Sequence, residues 1–106
     1  MSTTQDFAEY VCEQIRDAGY VRCRKMFGEY MVYVNDKPIL LVCDNIVYVK
    51  HLDAVADLLK DAEEGFPYTG AKLHYILDID DADLSNEVIR ILEPITSVPK
   101  PKKKKA

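Results

Sequence analysis

Tyr30-Met31-Val32-Tyr33-Val34-Asn35-Asp36-Lys37-Pro38-Ile39-Leu40-Leu41-Val42-Cys43-Asp44-Asn45-Ile46-Val47-Tyr48-Val49-Lys50 is the stretch that decides the fold. Its Val-, Ile- and Tyr-rich runs suit a pleated, half-buried surface. They are separated by Asn35-Asp36 and Asp44-Asn45, short polar pairs that tolerate left-handed backbone and close tight hairpins. Two-residue loops between successive strands imply an antiparallel meander over 30–34, 39–43 and 46–50. Pro38 has no N–H to give a ladder, so it belongs at a strand start or on an edge.

Working outward, residues 20–27 have the same strand character, and Gly28-Glu29 separates them from 30–34. The two runs are either separate strands or one long strand bent at Gly28. Before them, Phe7, Val11, Ile15 and Ala18 recur at helical spacing and predict a helix over about 4–18. Ser2-x-x-Gln5 resembles a capping box, with Thr3 and Thr4 as alternative caps and Gly19 as the residue past the end.

After the meander, Val55, Leu58, Leu59 and Ala62 return to helical spacing, predicting a helix over 53–63 capped by Asp53 and ended by Gly65. Phe66-Pro67-Tyr68 and residues 72–79 form a hairpin turning at Thr69-Gly70. The acidic run Asp78-Ile79-Asp80-Asp81-Ala82-Asp83 complements the dipole of a third helix, capped by Asp81 or Asp83. That helix carries Leu84, Val88, Ile91, Leu92 and Ile95, and Pro94 should end or kink it.

The fold class that follows is α+β in two layers, an antiparallel sheet with helices on one face, in the order α-β(3-4)-α-β(2)-α. The other sheet face must then be polar or covered by a partner. Tyr30, Tyr33, Tyr48, Tyr68 and Tyr75 all fall on strand segments, and some of them belong on that second face.

A chain of 106 residues with 48% hydrophobic and 30% charged residues sustains one core. The expected organisation is a single domain over 1–97 and a disordered Pro/Lys-rich tail over 98–106. No run approaches the roughly 20 apolar residues of a membrane span, and the N-terminus lacks a secretory pattern. Cys12, Cys23 and Cys43 are an odd number without a CxxC pair, which suits buried thiols in a reducing, cytoplasmic compartment.

Charge is distributed unevenly. Five of the 14 Lys and Arg residues lie at 100–105, leaving nine against 18 carboxylates, or −9, over residues 1–99. Phosphate contacts from basic side chains dominate duplex-DNA affinity, so the acidic body is unsuited to reading DNA by itself.

The run Arg24-Lys25-Met26-Phe27-Gly28, inside Val21-Arg22-Cys23-Arg24-Lys25-Met26-Phe27-Gly28-Glu29-Tyr30-Met31-Val32-Tyr33-Val34, resembles the signature of the TfoX N-terminal domain family. The flanking helix, the hairpin over 37–50 and Gly65-Phe66-Pro67-Tyr68 fit the same pattern, so the resemblance covers roughly 7–93. It implies kinship with regulators of natural competence, transcriptional coactivators that work beside a cyclic-AMP-receptor-type factor. Those regulators carry a second, helical C-terminal domain that this sequence lacks, which makes it similar to stand-alone N-terminal-domain proteins. Glu29, Met31 and Pro94 depart from the family's usual residues.

The candidate interaction residues are Arg22, Arg24, Lys25, Phe27 and Gly28. Strand alternation puts Arg22 and Arg24 on one face with Met26, and Cys23, Lys25 and Phe27 on the other. The bland alternative is a solvated strand whose guanidinium groups pair with Glu29 or the acids at 78–83. Lys100, Lys102, Lys103, Lys104 and Lys105 form an electrostatic tail able to make weak, salt-dependent, nonspecific nucleic-acid contacts. His51, His74 and the thiols show no zinc spacing, and Asp78-x-Asp80 lacks the rest of a calcium loop. No catalytic group, metal or cofactor is therefore expected.

The leading expectation is a non-enzymatic protein-interaction module whose partner, by resemblance, is the transcription machinery. A small-ligand sensor with Tyr33, Tyr48 and Tyr75 lining a pocket between sheet and helices is the alternative, and a small enzyme the weakest reading. An open sheet face or free edge strand would also permit a homodimer.

Overall fold

Asn35, Asp36, Asp44 and Asn45 all adopt positive φ, at 52, 67, 54 and 60°. Two consecutive left-handed residues are what a tight hairpin turn needs to match the twist of its strands. Both expected hairpins are present in the computed structural model, which describes residues 3–26 and 29–98. Phe27, Gly28, Ser2 and the lysine tail lie outside the described residues.

The meander consists of β1 (Val21–Met26), β2 (Glu29–Val34), β3 (Lys37–Cys43) and β4 (Ile46–Lys50). Val21 pairs with Val34 and Met26 with Glu29, so β1 and β2 are two antiparallel strands and not one bent strand. Pro38 is the second residue of β3, opposite Tyr33, where the β2–β3 register shifts. It sits at a strand start and bulge in the middle of the sheet. β5 (Glu64–Gly65) and β6 (His74–Ile76) complete six antiparallel strands in the order β1-β2-β3-β4-β6-β5.

Two α-helices are present: α1 (Gln5–Gln14), continued by a 3-10 turn at Arg16–Ala18, and α2 (Ala82–Ile95). Thr4 caps α1 by accepting from the Phe7 N–H at 3.2 Å. Asp81 caps α2 by accepting from Leu84 N–H at 3.0 Å. Pro94 lies in the last turn of α2, which stops one residue later. Gly19 ends the first helical segment at φ 154° and not in the left-handed helical region. A Cβ there would approach the Asn35 amide nitrogen to 2.9 Å.

The helix expected over 53–63 is absent. A 3-10 turn at Asp53–Val55 leads into isolated turns, with Leu59 N–H on Val55 O and Ala62 N–H on Leu59 O. The residue at the cap position is Leu52 and not Asp53, and it offers no side-chain capping bond. Asp57 and Asp61 repel at helical spacing, and Asp61, Glu63 and Glu64 crowd what would be the negative end of the dipole. Val55 and Leu59 nevertheless reach the core. Gly65 does not end a helix but lies in β5, where a Cβ would come 3.3 Å from Ile76. The observed order is thus helix, four strands, 3-10 turn, two strands, helix.

The core lies between the helices and one sheet face. Val32, Val34, Leu40, Val42, Val47, Val49 and Tyr75 meet Ala8, Val11, Ile15, Val55, Leu59, Val88, Ile89 and Leu92. Fully burying such aliphatic side chains contributes about 1.5–3 kcal/mol each. Asn86 ties α2 to the end of α1 by donating to Gln14 O at 2.9 Å. With every helix on one side, the opposite sheet face is left without a layer of its own.

Candidate functional site

The antiparallel register builds that second face row by row. Arg24, Met31, Leu41, Tyr48 and Ile76 stand abreast across β1, β2, β3, β4 and β6. With strands about 4.8 Å apart, this row runs roughly 19 Å. Met31, Leu41 and Ile76 are half-buried, while Tyr48 is only 7% exposed. Burial raises the Tyr48 hydroxyl pKa above its usual value.

A groove of about 810 Å³ lies over the middle of the row, at Met31, Leu41 and Tyr48, with Tyr68 and Leu73 of the β5–β6 loop along one wall and Lys50, Lys72 and His74 on the rim. His74 meets Tyr48 edge-on at 6.3 Å between ring centroids. His74 Nδ1 lies 2.7 Å from the Lys72 carbonyl, so this nitrogen carries the proton and donates. The hydrogen bond fixes the loop's last residues against β6.

The sequence-predicted basic group divides. Arg22 and Arg24 belong to the second face, whereas Lys25 pairs with Tyr30 and belongs to the helix-bearing side. Arg22 donates from Nε to Asp36 Oδ1 at 3.3 Å, and its guanidinium lies 4.7 Å above the Tyr33 ring. Its carboxylate partner is the hairpin Asp36 and not Glu29 or the acidic run. Arg24 is exposed beside Met31 and forms no ion pair with a described residue. All three basic residues lie on an edge strand, where charged side chains discourage unwanted strand pairing.

The tyrosine pocket does not form. Tyr48 lines the second-face groove, Tyr33 is covered by Arg22, and Tyr75 is on the core side, stacked on His51 at 4.1 Å. His51 Nε2 is 2.6 Å from Glu64 Oε2, linking β4 to β5. On the helical side, a cavity of about 660 Å³ lies between α1, the 58–63 turns and the start of α2. Asp61, Glu63, Asp78 and Asp80 line its mouth. The cavity on the helical side thus has an acidic lining, and the groove on the open face a basic rim.

The thiols are built for packing. Burial first, then the neighbouring Cys23, pushes Cys12 up to about 12, and burial pushes Cys43 up to about 11. Both stay protonated at neutral pH, and the thiolate is the reactive form. Among the described residues, no cluster of three His, Cys, Asp or Glu side chains is placed to hold a metal ion, and no helix is long and apolar enough to cross a membrane.

Sequence reasoning named Arg22 and Arg24 but missed Met31, Leu41, Lys50 and Lys72. The signal was present in β2, β3 and β4, whose apolar residues occupy both alternating faces.

An antiparallel sheet covered by helices on one side and open on the other defines a two-layer α+β domain with one uncovered sheet face. The chain belongs to the TfoX N-terminal domain family, whose sequence model matches residues 13–85. It is also similar to a Spirochaeta aurantia protein described as an uncharacterized 12.7 kDa protein in the trpE 5′ region. The two are 34% identical over 107 residues, 99% of this chain and 93% of that protein. The family match contains every strand of the sheet, and with them the second face.

Proposed function

We propose that this chain is a non-enzymatic, regulatory protein-interaction module of the TfoX N-terminal type, with its partner in the transcription machinery. The observation that carries the reading is the second sheet face: an apolar row from Met31 to Ile76 roughly 14 Å long, with basic side chains at its margins and no helix over it. Apolar surface framed by charge on an otherwise acidic body is a surface made for association. Family membership supports the regulatory setting. The lysines at 100–105 add local attraction to nucleic acid while leaving sequence selection to the partner.

Co-purification of a transcription factor with the full chain tests this reading. Arg22→Glu combined with Arg24→Glu should abolish it; both side chains are exposed, and an amide spectrum checks that the fold survives loss of the Arg22–Asp36 pair. If the wild-type chain retains no transcription factor, the regulatory reading fails.

A further inference from the structure

We infer that the second-face groove receives an acidic, amphipathic segment of a partner protein, one in which carboxylates flank large aliphatic or aromatic side chains. This rests on the interaction reading above and adds the place and the chemistry of contact.

Charge complementarity selects the segment. Lys50 and Lys72 line the groove over the apolar floor of Met31, Leu41 and Tyr48, and Arg22 and Arg24 stand on the same face on neighbouring β1, four of only nine Lys and Arg in residues 1–99. The acids on this side are already engaged. Glu29 accepts from Thr3 Oγ1 at 2.8 Å and from Asp44 N–H at 3.0 Å, while Asp36 holds Arg22. Lys50, Lys72 and Arg24 form no ion pair with any described residue. Their ammonium and guanidinium groups are therefore available to an incoming carboxylate, and like-charged segments are repelled.

The apolar row from Met31 to Ile76 spans three strand spacings, roughly 14 Å, which about four residues of extended chain would cover. The floor selects protein over single-stranded nucleic acid. Successive bases stack on successive exposed aromatic faces, but on the floor Tyr48 is 93% buried and Arg22 occupies the face of Tyr33. That leaves Tyr68 of the wall, 60% exposed, as the tyrosine face within reach of a base. The chain's own lysine tail carries the wrong sign for this groove. A second copy offering its acidic helical side would make a head-to-tail contact, which builds a ring or an open filament and not a two-fold dimer.

The test uses the full chain, ¹⁵N-labelled, titrated with three synthetic peptides of equal length. One alternates Glu with Leu and Phe, one replaces Glu by Lys, and one replaces Leu and Phe by Ser. The expected result is that only the first binds, moving amide signals of β2, β3, β4 and 68–74. Lys50→Glu with Lys72→Glu should weaken it on the order of tenfold, while Lys50→Arg with Lys72→Arg preserves binding. Amide spectra of both variants report whether the fold is kept.

Equal binding of the Lys-containing peptide, signal changes confined to other elements, or no binding by the Glu-containing peptide would overturn the proposal. So would tighter binding of an oligothymidylate to the same residues, or sedimentation showing that copies assemble through this face. A co-purifying factor lost with the Arg22/Arg24 variant but kept by the Lys50/Lys72 variant would leave the interaction reading standing and remove this inference alone.

Discussion

Asn35 holds three parts of the molecule together with one small side chain. Its Oδ1 accepts from Tyr20 N–H at 3.0 Å, its Nδ2 donates to Glu93 Oε2 at 3.3 Å, and its backbone takes φ 52°. Asn35→Ala loses two hydrogen bonds and puts a Cβ residue without local compensation in the left-handed region. We expect a cost of about 2 kcal/mol in urea unfolding, and a change under about 0.5 kcal/mol would show that the turn is held by other contacts. Cys12 and Cys43 make a chemical prediction. Iodoacetamide at pH 8 should label both slowly in the folded chain and quickly in urea, because burial favours their protonated forms. A folded pKa raised above the ordinary 9.0 stabilises fully below that value and is lost as pH rises toward about 12 for Cys12. Rapid labelling of Cys12 in the native chain would contradict the packing described. The sequence marked both Asn35 and the thiols through residue type alone, since few side chains tolerate positive φ and free thiols are usually buried.

Among the elements, α2 is the one written most plainly in the chain. Of the two expected caps, Asp81 and Asp83, it is Asp81 that caps it, and Asp81→Ala should cost about 1 kcal/mol, read as a lower urea midpoint with unchanged slope. A shift in the slope would instead signal a change in the unfolded or native ensemble. The hairpins were equally legible, because Asn35-Asp36 and Asp44-Asn45 announce the turn and the turn sets the register. The segment 53–63 was not. Its apolar spacing is helical, but spacing says nothing of Asp61, Glu63 and Glu64 opposing the dipole, or of a link that must bring β5 alongside β6. The groove was hidden for a related reason. Lys50 and Lys72 lie 22 positions apart in sequence, and only the pairing of β4 with β6 brings them to the same rim.

At the scale of the molecule, the sheet separates a cavity lined by Asp61, Glu63, Asp78 and Asp80 from a groove lined by Lys50 and Lys72. One pair crosses between layers: Lys37 Nζ is 2.9 Å from Glu93 Oε2 and donates to the Glu93 carbonyl at 2.8 Å. Lys37, followed by Asn35, holds the Glu93 pKa below its ordinary 4.5. The stabilisation is thus complete above the unfolded value of about 4.5 and is lost as pH falls through the lower folded value. Glu93→Gln should be less stable than wild type at pH 7, with the gap closing in unfolding curves taken below about pH 4. A gap that persists in acid would assign the effect to packing. The strand order β1-β2-β3-β4-β6-β5 has a further consequence, for how the chain reaches its final form. The meander closes through neighbouring segments, but β5 has no ladder to join until β6 has returned across the loop and docked on β4. During synthesis, the β4 margin carrying Tyr48 and Val49 is therefore bare until residue 76 has emerged, and a bare strand margin invites pairing with another chain. A fragment stopping before residue 74 should aggregate where the full chain does not, and in the intact protein the amides of 64–65 and 74–76 should exchange with solvent before those of β2 and β3.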